Sequence, residues 1–239
     1  MSLDRAGVQS MDKLILPQLE YTSSKFKNLS EVILISGGRK PNLEWFNEVK
    51  LNRPIYCVDH GIDFCRESGT VPELLIGDLD SAASESIQWA IDNGVNIERH
   101  PIDKDFTDTQ LALDKINENS FAIITSTFGG RLDHLFSTLF TCANSNIKSC
   151  LADDREIVIF ADAGENVSIE FKIKPLALSL LPMTDTCKGV TIDGVHWPLQ
   201  SADLKQSTPN AISNRVESKI INISVKDGKL AVYMCFVEG

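Results

Sequence analysis

No apolar run in this chain of 239 residues approaches the roughly 20 consecutive residues that carry a helix across a bilayer, which removes a helical membrane protein from consideration. Basic charge is also scarce: 23 Lys and Arg stand against 33 Asp and Glu, for a formal charge of −10. Nucleic acids bind by exchanging counterions for clustered Lys and Arg, so neither DNA nor RNA is an expected partner, and any phosphate site has to be local and metal-assisted. Cys57, Cys65, Cys142, Cys150, Cys187 and Cys235 form no Cys-x-x-Cys pair, and several sit in apolar runs where a thiol acts as a small hydrophobe. Buried thiols are expected rather than a zinc site or a disulfide framework. The Gly-x-Ser-x-Gly elbow is missing, as is a P-loop ending in Gly-Lys-Ser or Gly-Lys-Thr, which weakens serine-hydrolase and ordinary P-loop readings. Met1-Ser2-Leu3 leads into Asp4, Arg5, Asp12 and Lys13 rather than into the apolar core of a secretory signal, so a cytoplasmic location is expected.

What remains is the composition of a globular protein, 43% hydrophobic and 23% charged, long enough for one large domain or two ordinary ones. From residue 31 onward, short apolar runs at 32–36, 55–59, 74–78, 95–100, 121–126 and 148–153 alternate with helical stretches at 42–50, 62–68, 82–93, 107–117 and 132–144. Near residue 156 the helical periodicity gives way to β-rich runs at 157–161, 167–173, 176–181, 189–192, 213–217, 219–225 and 230–237, separated by Gly, Asp, Asn and Pro. The expected architecture is therefore α/β plus all-β. An open, mostly parallel sheet flanked by helices occupies 31–155, a β-sandwich occupies 156–239, and residues 1–30 form an extension without assigned structure.

Ligands of an open parallel sheet sit beyond the carboxyl ends of its strands, so the residues following each apolar run carry the chemistry. Those residues are Ser36-Gly37-Gly38-Arg39, Asp59-His60-Gly61, Gly77-Asp78-Leu79-Asp80-Ser81, Asp103-Lys104-Asp105-Phe106-Thr107-Asp108 and Gly129-Gly130-Arg131-Leu132-Asp133-His134. Asp78 and Asp80, one residue apart, can turn both carboxylates to one side as a clamp for a hard cation, Mg²⁺ or alternatively Mn²⁺. The same five residues also read as a turn with a helix cap at Ser81. Asp105 or Thr107 is open to reading as an N-cap, while Lys104 beside a helix start offers a cation for phosphate. Gly129-Gly130 lets backbone approach a ligand before Arg131 presents its guanidinium and Asp133 follows. His100 and His134 have no local orienting partner and read as structural or peripheral.

In this order and spacing the motifs resemble those of the thiamine pyrophosphokinase family: Asp-Gly-Gly, Gly-Asp-x-Asp-Ser, Asp-x-Thr-Asp and Gly-Gly-Arg-x-Asp-His, followed by a β-sandwich. Gly194-Val195-His196-Trp197-Pro198-Leu199 resembles the family's Gly-x-x-Trp-x-Leu segment, and Ser213-Asn214 its later Ser-Asn. The resemblance covers about residues 31–239 and implies transfer of pyrophosphate from ATP to thiamine. It implies Asp78, Asp80 and Asp105 as Mg²⁺ ligands, Asp108 and Asp133 as completing the acidic site, and Lys104 and Arg131 as steadying the transferred group. Ser36, Gly37, Asp59, Ser81 and Gly130 fall where nucleotide or phosphate contacts are implied. It further implies a homodimer whose thiamine site uses the β-domain, with Trp197, Ser213 and Asn214 as substrate residues. His60 departs from the pattern, standing where the family usually has Gly. Two other readings keep the same residues: a related pyrophosphokinase or nucleotide hydrolase with another acceptor, and a nucleotide- or thiamine-binding module without catalysis.

Overall fold

The structure, a computed structural model, describes residues 13–101 and 105–237. The described residues divide into two compact units, one built around residues 30–153 and the other from 13–29 together with 154–237. Residues 13–29, left without structure in the sequence reading, supply two strands, β1 (Lys13–Ile15) and β2 (Leu19–Ser23), to the second unit. Leu14, Leu16, Leu19 and Tyr21 are buried at alternate positions on either side of Pro17 and Gln18, so one face of this ribbon belongs to a core.

The first unit alternates strand and helix. In chain order it contains β3 (Ser30–Ile35), α1 (Leu43–Val49), β4 (Ile55–Val58), α2 (Gly61–Glu67), β5 (Leu74–Gly77), α3 (Ser84–Asp92) and β6 (Asn96–Arg99). These are followed by α4 (Asp108–Asp114), β7 (Ser120–Thr125), α5 (Leu132–Asn144) and β8 (Lys148–Ala152). The strands are parallel and lie in the order β8-β7-β3-β4-β5-β6. β3 and β7 are the central strands, and Val32, Ile33, Leu34 and Ile35 are all buried, as are Phe121, Ala122, Ile123 and Ile124. A parallel strand covered on both faces reads as a continuous apolar run, which is why these were visible in the sequence. Side chains set the helix starts: Asn42 caps α1 through Glu44 and Trp45 N–H, and Thr107 with Gln110 forms a reciprocal capping box on α4. Ser81 is not a cap; the residue before α3 is Ala83.

The second unit is antiparallel throughout. It adds β9 (Glu156–Asp162), β10 (Glu165–Phe171), β11 (Ala177–Pro182), β12 (Thr186–Ile192), β13 (Leu199–Lys205), β14 (Ile220–Val225) and β15 (Lys229–Cys235). One sheet runs β1-β2-β10-β14-β12-β13, and β11-β15-β9 forms a second layer. Val167, Ile169 and Phe171 alternate inward on β10, as a sheet with one buried face requires. The expected strand at 213–217 does not form. Ser213 has φ +57, which breaks extended geometry, and only the isolated bridges Leu178 to Asn214 and Val195 to Val216 remain. β13 was not foreseen. The six cysteines are free thiols, five of them buried, and burial pushes Cys142 up to about 12, far from thiolate reactivity. No helix among the described residues is long and apolar enough to cross a membrane.

Candidate active site

The strand order places the site. β3 has β4 on one side and β7 on the other, so the winding reverses between β3 and β7 and leaves a crevice beyond their carboxyl ends. A cavity of about 610 Å³ opens there. Its walls come from Ser36, Gly37 and Gly38 after β3, Asp59 and His60 after β4, Asp108 at the start of α4, and Gly130 and Arg131 after β7, with Ser81, Asp133 and His134 at its margin. Eight residues singled out from the sequence thus share one cavity: Ser36, Gly37, Asp59, Ser81, Asp108, Gly130, Arg131 and Asp133. Gly38 makes the close approach possible. A Cβ there would lie 2.8 Å from the carbonyl oxygens of Phe128 and Ser126.

Asp59 is the electrostatic centre. It adopts φ +43, accepts a hydrogen bond from Leu79 N–H at 3.3 Å, and its carboxylate fills the space that a side chain on Gly77 would need. Burial, then the neighbouring Asp108 carboxylate and Asp78, push the Asp59 carboxyl up to about 7, against the lowering effect of Leu79 N–H. The raised value carries a stability consequence. Between about pH 4 and pH 7 the folded state holds a proton that the unfolded state has lost, so wild-type stability falls as pH rises through this window. Asp59→Asn keeps the acceptor for Leu79 N–H and removes the titration. In thermal melts with a chelator present, its midpoint relative to wild type should climb between pH 4 and pH 7, by about 2 °C after discounting for partial exposure, and stay level above. A constant difference across pH would count against the raised Asp59.

The remaining acidic residues divide. Asp108 lies in the first turn of α4 beside Asp59, with its Oδ1 shielded from solvent. Asp133 and Arg131 form a bidentate pair at 2.6 and 3.1 Å, and the guanidinium holds the Asp133 carboxyl below the usual carboxylate range. Asp80 N–H donates to Asp78 Oδ1 at 3.0 Å, closing a local turn. Asp105 is exposed and precedes the α4 cap. Among the described residues no three His, Cys, Asp or Glu side chains are gathered as a metal site, so Asp78, Asp80 and Asp105 do not form a ready-made three-carboxylate clamp. Phe106 and the extended cap residue Thr107 stand between Asp105 and Asp108. Lys104 lies outside the described residues.

His60, which stands where the family usually has Gly, needs no glycine-like backbone. Its φ of −57 is ordinary, and its Cβ rests 3.0 Å from where a Cβ on Gly37 would be. His100 is peripheral, its ring 3.2 Å from Glu98.

The second unit carries its own cluster. Trp197 is 55% exposed, so it is not an edge-packing residue. Asn214 holds it at both ends of one residue: Trp197 N–H donates to Asn214 Oδ1 (3.1 Å), and Asn214 Nδ2 donates to Trp197 O (2.8 Å). Ser213 N–H donates to Ser179 Oγ (3.1 Å). The Arg215 guanidinium lies 5.3 Å from the indole centroid, and His196, paired with Glu217 at 2.7 Å, meets it edge-on at 4.5 Å. Sequence reasoning placed Asn214 on the substrate and missed Arg215. The side chain of Asn214 serves the backbone, and only the adjacency of Arg215 to Ser-Asn could have signalled the cation beside the ring.

An open parallel sheet with a glycine-lined, acidic crevice at its switch point defines an α/β protein suited to a phosphorylated ligand. The description "Thiamin pyrophosphokinase, catalytic domain" matches residues 47–152, and "Thiamin pyrophosphokinase, vitamin B1 binding domain" matches 166–230. The chain belongs to the thiamin pyrophosphokinase family. It is 27% identical over 164 residues to the thiamine pyrophosphokinase of Bacillus subtilis, covering 66% of this chain and 76% of that one. It is 25% identical over 164 residues to thiamine pyrophosphokinase 1 of Oryza sativa, covering 64% of this chain and 62% of that longer protein. The fold is similar to the crystal structure of the Bacillus subtilis thiamine pyrophosphokinase, with TM-score 0.75 and 21% identity over 87% of this chain and all (100%) of that one. It is also similar to that of the yeast thiamin pyrophosphokinase, with TM-score 0.71 and 16% identity over 88% and 87%.

Proposed function

We propose that this chain is a thiamine pyrophosphokinase, which moves the pyrophosphoryl group of ATP onto the primary hydroxyl of thiamine and releases AMP. The observation that carries the reading is the cavity at the switch point, where glycine backbone, Arg131 and the Asp59 and Asp108 carboxylates share one wall. The donors of this region are carboxylate oxygens, and the upward push on Asp59 by Asp108 and Asp78 marks a place where a cation relieves repulsion. Mg²⁺ is held by one or two carboxylates together with substrate phosphates, so Asp78 and Asp80 suit it without a third protein ligand, and Mn²⁺ is the alternative ion. Held by Asp78 and Asp80, such an ion would supply charge neutralisation on the transferring group.

The chain's own residues do the rest. Backbone at Gly37, Gly38 and Gly130 comes close to the triphosphate, and Arg131, exchanging Asp133 for phosphoryl oxygens, steadies the group in transit. The thiamine hydroxyl oxygen forms a bond to the β-phosphorus as the bond from that phosphorus to the α,β-bridging oxygen breaks. The bridging oxygen leaves with AMP, and the hydroxyl proton passes to a base; while paired with Arg131, Asp133 is a weakened base, because the guanidinium lowers its affinity for a proton. Positioning and charge neutralisation carry the rate. Trp197 is the proposed platform for thiamine. Asn214→Leu, which releases both backbone ends of Trp197, should raise the thiamine KM about tenfold while leaving the ATP KM within twofold. An equal rise in both would show a general loss of structure instead.

A homodimer in the cytoplasm completes the reading; its support is the apolar stripe of Leu132 and Phe136 exposed on α5, and sedimentation of the pure protein tests it. The deciding experiment is incubation with ATP, Mg²⁺ and thiamine. Thiamine diphosphate and AMP in equal amounts are expected; ADP, or ATP breakdown indifferent to thiamine, would overturn the proposal.

A further inference from the structure

The segment bearing Asp78 and Asp80 adopts backbone angles that do not sustain themselves. Gly77 takes φ +145 freely because it has no Cβ, but Leu79 has φ +64, and a non-glycine residue in that region persists where surrounding contacts over-determine it. Three such contacts come from a single corner, the passage from β4 into α2. Leu79 N–H donates to Asp59 Oδ1 (3.3 Å), His60 Nδ1 lies 3.0 Å from Ser81 O, and Ala83 N–H donates to Asp63 Oδ1 (3.2 Å). A carbonyl oxygen only accepts, so His60 Nδ1 carries the proton in that bond, whatever the state of the other ring nitrogen. The three donors and acceptors on the segment are at alternate positions, 79, 81 and 83, while Asp59, His60 and Asp63 span one turn at the start of α2. The helix start therefore grips the segment on both sides of Asp80. Ser81 also lines the crevice, whereas Ala83, the residue before α3, has no part in the proposed chemistry that would explain its bond.

We infer that His60 and Asp63 are positioning residues for divalent-cation binding, clamping residues 77–83 so that Asp78 and Asp80 are ordered before the cation arrives. This rests on the reading of Asp78 and Asp80 as cation ligands. Without the clamp, the conformational entropy of ordering the segment opposes binding; with it, that ordering is already complete in the folded chain. His60, whose ring is the departure from the family pattern, acquires a purpose: an imidazole reaches Ser81 where a glycine could not.

The test is titration of Mn²⁺ into the full chain, following the free-ion signal by electron paramagnetic resonance. His60→Phe keeps a flat ring beside Gly37 and loses the donor; Asp63→Leu loses the acceptor; Asp63→Asn keeps an oxygen for Ala83 N–H. The first two should weaken Mn²⁺ binding about fivefold each, the equilibrium equivalent of one net hydrogen bond, and Asp63→Asn should stay within about twofold of wild type. Unchanged affinity in both His60→Phe and Asp63→Leu overturns the clamp and leaves the cation reading standing. Equal weakening in Asp63→Asn and Asp63→Leu also overturns it, because charge rather than the bond to Ala83 would then set the affinity. No Mn²⁺ binding by wild type, either alone or with a non-hydrolysable ATP analogue beyond the nucleotide-only control, overturns the cation reading and the clamp together.

Discussion

Asp78→Asn and Asp80→Asn should each lower kcat/KM for AMP formation by about a thousandfold, which is ~4 kcal/mol of transition-state stabilisation. A cation acting on a phosphoryl group supplies several kcal/mol of charge neutralisation, and an amide oxygen in place of a carboxylate holds it far less tightly. The fold should not suffer. Asn at position 78 keeps the oxygen that accepts Asp80 N–H, and Asp80 is exposed, so thermal midpoints should match wild type. Because no three acidic side chains are gathered as a metal site among the described residues, Asp105→Asn is expected to cost far less, about tenfold or below. Steady-state kinetics over a Mg²⁺ series separate the variants: loss of cation binding moves the Mg²⁺ dependence before it moves the ATP KM. Near-wild-type rates in Asp78→Asn would remove the two-carboxylate site, and an Asp105→Asn loss as large as the other two would restore the three-carboxylate clamp.

That contrast marks where sequence reading stops. The parallel sheet was legible because β3, β4, β5, β7 and β8 are buried apolar runs that end in Gly- or Asp-bearing turns, a pattern one strand deep and local in sequence. β1 and β2 carried a two-residue alternation, Leu14 with Leu16 and Leu19 with Tyr21, but Pro17 splits it into pieces too short to stand apart from a polar terminus. β13 offered still less, since Leu204 is its only buried residue and it pairs with β12 alone. The opposite error, a strand at 213–217, came from composition; the turn at Ser213 overrides it so that Asn214 can reach Trp197.

The candidate site divides along the same line. Most of the singled-out residues that line the cavity followed from strand ends, although Asp78 and Asp80, at the end of β5, and Asp105 are not among its lining residues. How they are held did not. The bonds from His60 to Ser81 and from Asp63 to Ala83 join residues 21 and 20 positions apart, and they exist because β4 and β5 run parallel in one register. The contact of Asp59 with Asp108 is longer still in sequence, and its consequence, a carboxyl pushed up to about 7, arises from burial that no motif encodes. Pairing of Arg131 with Asp133 could have been read from their spacing at the start of α5, yet its effect, a carboxyl held below the usual range, depends on the rotamers the two side chains adopt.

Trp197→Ala should raise the thiamine KM about a hundredfold and leave the ATP KM within twofold. A large aromatic left 55% exposed gains little from folding, and its removal should change stability by no more than about 0.5 kcal/mol. The ring is nonetheless fixed: Asn214 holds the backbone, Arg215 lies over the indole and His196 meets it edge-on, so a ligand finds the surface already ordered. Thiamine brings a flat aminopyrimidine and a cationic thiazolium, and stacking of such rings on a desolvated indole is worth ~2–3 kcal/mol, the origin of the hundredfold figure. Trp197→Phe should recover much of the loss, because a smaller ring keeps a π-face in the same place. Since the proposed metal and triphosphate contacts come from other residues, AMP formation at saturating thiamine should approach the wild-type rate in both variants. Isothermal calorimetry with thiamine and kinetics with each substrate varied decide the matter. An unchanged thiamine KM, or a melting midpoint lowered by several degrees, would make Trp197 a structural residue and move the thiamine platform elsewhere.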